Sequence, residues 1–136
     1  MSVRVRSACL QDGVAVLSLL EEVGYLPEPV SFAQTYRKTL GNPQFLVRVA
    51  EDAGKIVGVA SLSFRHHLGL GGLLACLDEM VIAPGSDEKT VERLLLQATV
   101  GKARSLGARK TLTKAEGVRP EMPKPQIVVG PASTAA

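Results

Sequence analysis

Apolar positions recur along this chain in two rhythms, and the changes of rhythm mark its elements. Val3-Arg4-Val5-Arg6 alternates every second residue and predicts a short strand with one exposed face. Val16, Leu17, Leu20 and Val23 follow helical spacing, with Gly24 placed to end the helix and Pro27 beyond it. Ser31 reads as the N-cap of a second helix carrying Phe32, Tyr36 and Leu40 on one face, closed by Gly41 before Asn42-Pro43. Two β-rich runs, 45–52 and 55–67, are joined through Asp52-Ala53-Gly54 as a hairpin. The glycine-rich Leu68-Gly69-Leu70-Gly71-Gly72 predicts a flexible loop between antiparallel strands. After it come an apolar strand over 73–82, a break at Ala83-Pro84-Gly85-Ser86, a helix over 87–106 ended by Gly107, and a last strand over 108–114.

The order β-α-α-β-β-β-α-β defines an α/β (α+β) class, expected as a mixed, twisted sheet with helices on both faces. Val16, Leu17 and Leu20 of the first helix, and Val91, Leu95 and Ala98 of the third, are expected to pack against it. With 136 residues, 46% of them hydrophobic, the chain can build one core but not two. The domain is expected to span 1–116. Prolines at 120, 123, 125 and 131 exclude a regular helix over 117–136, leaving a mobile proline-rich tail with at most one short strand at 126–129. That tail could dock on its own domain or across a homodimer.

A net charge of +3, spread along the chain, gives no basic patch, and 4% aromatic content without Trp gives no stacking platform, so nucleic acid is not an expected partner. Cys9 and Cys76 lie far apart with no CxxC and no His pair, arguing for free buried thiols and against a metal site or disulfide framework. The N-terminus has early charges and no long apolar run, so no signal peptide or membrane span is expected and a cytoplasmic location is.

Three stretches, VRSACLQDGVAVLSLLEEVGY, FLVRVAEDAGKIVGVASL and LDEMVIAPGSDEKTVERLLLQATVGKARSLGARKTLT, together resemble the GNAT family of acetyl-CoA-dependent N-acetyltransferases over residues 3–116. The third aligns without a gap through the fourth strand, its Pro-containing exit and the long helix. The resemblance implies the acyl-CoA N-acyltransferase fold, acetyl-CoA as acyl donor and a small-molecule or protein amine as acceptor. It places Glu79, with Asp78 as the alternative, as the carboxylate base on the fourth strand. Val81, Lys89, Thr90 and Val91 fall where the coenzyme is held, Val81 through strand backbone and the others at the helix start.

The family's phosphate loop, Arg/Gln-x-x-Gly-x-Gly/Ala, falls on Asp87-Glu88-Lys89-Thr90-Val91-Glu92. Small residues that let amides close on pyrophosphate are replaced by carboxylates, so coenzyme binding is expected to be impaired or lost. The residues themselves suit a helix capped by Ser86 with Asp87 and Glu88 in its first turn. The family's fourth helix, often carrying a Tyr acid, is not expected, and Tyr25 and Tyr36 do not match it. Arg65 and Lys89 are candidates for an anionic group, and His66 and His67 for a substrate mouth. Two functions follow: an N-acetyltransferase-like enzyme with impaired coenzyme binding, or a non-catalytic GNAT-fold binding or regulatory module.

Overall fold

In the computed structural model, residues 2–113 are described. Five strands, β1 (Val3–Ser7), β2 (Phe45–Asp52), β3 (Lys55–His67), β4 (Gly72–Ile82) and β5 (Ala108–Leu112), form one sheet in the order β1-β2-β3-β4-β5. The first four pair antiparallel with their sequence neighbours, and β5 joins β4 in parallel. Three helices, α1 (Gly13–Glu22), α2 (Pro29–Leu40) and α3 (Glu88–Ser105), cover its two faces. The expected class, element order and mixed sheet are therefore those of the molecule. The tail expected over 117–136, with its strand at 126–129, lies outside the described residues.

The two faces follow from the alternation of β3. A Cβ built on Gly58 would lie 2.8 Å from Val91 Cγ1 and 2.9 Å from Leu95 Cδ1, so Gly58 lets α3 sit close against the sheet. Val59, the next residue, turns the other way and lines a cavity together with Val16, Leu20 and Tyr36 from α1 and α2. The buried stripe of α3 is Val91, Leu95, Thr99 and Ala103; Thr99 buries its hydroxyl by donating to the Leu95 carbonyl at 2.8 Å. Ala98 is only half-buried, because the stripe advances by four residues from Leu95 to Thr99. On α1 the fully buried pair is Val16 and Leu19, three apart, while Leu17 and Leu20 are partly exposed.

Two caps differ from expectation. Glu28, not Ser31, caps α2: its carboxylate accepts from the amides of Val30 and Ser31, with Pro29 at the first helical position where no amide is needed. Asp87, not Ser86, caps α3; the Ser86 hydroxyl instead donates to the Ala83 carbonyl at 2.7 Å. The Ala83–Ser86 break is a tight turn in which Gly85 takes φ 84°, a conformation glycine adopts without strain. Nor is 68–72 a featureless loop: Leu68–Leu70 form one 3-10 turn, held by the Leu70 amide donating to His67 Nδ1 at 3.2 Å.

Arg6 ties three elements together. Its guanidinium grips Asp12 in a two-pronged pair at 2.8 and 2.9 Å and also reaches Glu51, linking β1, the turn before α1, and β2. Asp12 additionally accepts from the Cys9 amide and thiol. Cys9 is exposed, contrary to the expectation of a buried thiol; Cys76 is buried, and burial pushes its thiol pKa up.

Candidate active site

Pairing between β4 and β5 begins at Leu73 with Ala108 and ends at Cys76 with Leu112. β4 runs on to Ile82, so its last six residues, 77–82, leave β5 behind while remaining paired with β3 as far as Gly58. Pairing ends where β5 itself ends, at Leu112, so among the described residues no strand covers this edge of β4 past Cys76. Beyond it the chain turns through Ala83–Ser86 into α3.

A bulge lies at the start of this uncovered stretch. Ser61 faces Glu79 and Leu62 faces Leu77, leaving Asp78 without a partner on β3. Alternation would send neighbouring carboxylates to opposite faces, but an extra residue in one strand breaks that alternation. Asp78 here feels a hydrogen bond from Ser63, the negative charge of Glu79 and the positive charge of Arg65. Burial is the largest of the influences on Asp78 and moves its pKa upward. Of the two carboxylates only Glu79 lines the cavity, while Asp78 sits at the bulge beside Ser63.

Glu79 is exposed at the rim of a cavity of about 350 Å³ and accepts from the Ser61 hydroxyl at 2.9 Å. The walls are apolar, with Val16 and Leu20 from α1, Phe32 and Tyr36 from α2, and Val59 and Val81 from the sheet. The Phe32 and Tyr36 rings stack with centroids 5.5 Å apart. Tyr36 donates its hydroxyl to the Cys9 carbonyl at 2.8 Å, and burial, aided by the charge of Asp12, pushes its pKa up to about 12. It therefore stays neutral near pH 7 and acts as a wall.

The sequence candidates divide into two places. Glu79 and Val81 border the cavity, with Asp78 beside them on β4. Lys89, Thr90 and Val91 lie in the first turn of α3. There, Asp87 accepts from the Thr90 hydroxyl at 2.8 Å and, at 3.4 Å, from its amide. The Val91 amide bonds to the Asp87 carbonyl, and the Val91 side chain is wholly buried against the sheet. The helix start thus spends part of its amide capacity on its own side chain, and Asp87, Glu88 and Glu92 are exposed around it. His66 and His67 do not line the cavity, and His67 is engaged in the 3-10 turn. Arg65 acts electrostatically on Asp78 and Cys76. Ser61, Phe32 and Tyr36 were not anticipated as site residues; the helical spacing of the two aromatics was visible, but their junction with β4 is long-range.

Pantetheine fits the edge of β4 that no described strand covers, since an extended amide-bearing chain can pair with strand backbone groups. At the α3 start, where first-turn amides could meet a pyrophosphate, Asp87, Glu88 and Glu92 are exposed carboxylates and Lys89 an exposed cation. No protein-family model matches the sequence, and no curated protein does. Solved structures do share the fold. A GNAT family acetyltransferase from Staphylococcus aureus superposes with a TM-score of 0.77 at 14% identity, over 95% of this chain and 97% of the other. Glucosamine-6-phosphate N-acetyltransferase from Arabidopsis thaliana gives 0.75 at 14% identity over 96% and 98%. A predicted acetyltransferase from Clostridium acetobutylicum, solved with acetyl-CoA, gives 0.67 at 18% identity over 84% and 81%. The chain has the GNAT acyl-CoA N-acyltransferase fold. Among the described residues, no helix is long and apolar enough to cross a membrane.

Proposed function

We propose that this chain is an N-acetyltransferase that takes its acetyl group from acetyl-CoA but holds the coenzyme weakly at the pyrophosphate end. The observation that carries this reading is the edge of β4 past Cys76, which no described strand covers, directly alongside the Glu79–Ser61 pair. Leu77–Ile82 backbone would hold the pantetheine arm, and Lys89 is the cation nearest in sequence to the remaining first-turn amides. When bound, acetyl-CoA supplies an acetyl thioester whose C–S bond breaks as the C–N bond forms, the thiol leaving with one proton of the amine. Glu79 takes the other proton, from the incoming ammonium, and Ser61 holds that carboxylate in place.

The capping of α3 by Asp87 favours a second reading, a non-catalytic module on the same fold. Calorimetry with acetyl-CoA and with S-acetyl-pantetheine, which lacks the pyrophosphate, separates these. Weak coenzyme holding at the α3 start predicts that both bind within about threefold of each other, and that radiolabelled acetyl passes to an amine. Acetyl-CoA binding more than about tenfold tighter than the pantetheine thioester would show that α3 grips the phosphates after all. Binding of neither supports the non-catalytic module.

A further inference from the structure

We infer that the acceptor is a primary amine on an aromatic body, an arylalkylamine, seated with its ring between α1, α2 and the sheet and its ammonium at Glu79. The inference rests on the acetyltransferase reading for its chemical step but on the cavity alone for binding. Among the described residues lining the cavity, Glu79 is the one carboxylate, and no Lys, Arg or His joins it. An anionic or phosphorylated acceptor would find no counter-charge there. A polyamine would find no second carboxylate for its remaining ammonium groups, which would lie among mostly apolar walls and the hydroxyl-bearing side chains of Tyr25, Thr35 and Thr39.

Size and shape narrow the class. A volume of about 350 Å³ lies at the small end of ligand pockets, room for one ring system with a short tether and too little for a multi-ring aminoglycoside. The Phe32 and Tyr36 rings lie within 18° of parallel, a stacked aromatic pair of which both members line the cavity. The Tyr36 hydroxyl is already bonded to Cys9, so the ring presents carbon to the cavity. An aryl group gains from offset stacking or edge contact with such a wall, beyond the area it buries. Ser61 donates to Glu79, leaving the carboxylate able to accept from an ammonium entering at the rim.

The test is calorimetry on the full chain without coenzyme, using phenethylamine, its uncharged analogue phenethyl alcohol, and spermidine. Phenethylamine should bind about tenfold or more tighter than either of the others. Glu79→Gln should remove the preference for amine over alcohol while leaving alcohol affinity within about twofold. Equal binding of amine and alcohol to the unaltered protein, or preferred binding of spermidine, overturns the inference. Acetyl transfer from acetyl-CoA is then assayed on the same amines. Binding of phenethylamine without transfer keeps the arylalkylamine site and overturns the transfer reading. Transfer to spermidine but not to phenethylamine keeps the enzyme and overturns the arylalkylamine assignment.

Discussion

Ser61 and Glu79 face each other across β3 and β4 at the last regular rung before the bulge, and the Ser61 hydroxyl donates to the Glu79 carboxylate at 2.9 Å. The pair fixes one carboxylate rotamer at the rim of an apolar cavity. Ser61→Ala removes that restraint while leaving Glu79 itself in place. Stability should change by no more than about 0.5 kcal/mol, since the bond lies at the surface. Acetyl transfer should fall by about three- to tenfold in kcat/KM, measured with phenethylamine, with KM for acetyl-CoA unaltered.

Gly58 predicts an overpacking cost. Its missing Cβ would sit inside contact distance of Val91 and Leu95, both with no exposed surface. Gly58→Ala should destabilise the fold by about 1–3 kcal/mol in urea denaturation. A compensating Leu95→Ala in the same chain should recover part of that loss relative to Leu95→Ala and Gly58→Ala added separately, because the two sites share one space.

Asp12 and Asp78 should give stability profiles of opposite slope. The hydrogen bonds and charge of Arg6 hold the Asp12 pKa far below the ordinary carboxylate value of about 3.9, so its contribution is complete above that pH and is lost as the pH falls toward the lowered folded pKa. Asp12→Asn should therefore lower stability at pH 7 and flatten the acid-side decline. Burial raises the Asp78 pKa, so ionising it in the folded state is unfavourable, and that loss sets in as the pH rises through the folded value. Asp78→Asn should stabilise the protein at pH 7, the gap closing below about pH 4. Urea midpoints of both variants from pH 3 to 7 check the signs.

Replacing the first turn of α3 by Asp87→Arg, Glu88→Gly, Thr90→Gly and Glu92→Gly removes the internal cap and three carboxylates together. Affinity for acetyl-CoA should rise at least tenfold, while affinity for S-acetyl-pantetheine changes by less than about twofold. The melting temperature should fall, since each interior glycine costs up to about 1 kcal/mol and the lost cap roughly another. Unchanged coenzyme affinity would show that these carboxylates turn away from the phosphates.

The strand and helix order was legible because each element carries its own period: Val3–Arg6 in twos, Val91 and Leu95 at helical spacing, although the stripe continues to Thr99 and not to Ala98. Glu79 and the unusual first turn of α3 were legible through the family resemblance. The caps were misplaced by local ambiguity, since Glu28 with Pro29, and Asp87 beside Ser86, offer competing oxygens one to three residues apart. The cavity was not legible at all. Phe32, Tyr36, Ser61 and Glu79 are brought together by sheet register and helix placement, and the bulge that sets the register at Asp78 has no local sequence mark.

That bulge carries one consequence for how the strand could be edited. Leu77 pairs with Leu62 on the α3 side, and Glu79 pairs with Ser61 on the cavity side, so these two already alternate as adjacent residues should. Asp78 is thus the residue whose single deletion would close the ladder without inverting any side chain of β4. Such a shortened chain would keep its core faces and lose only the local bend, separating what the sheet needs to fold from what the extra residue adds beside the cavity.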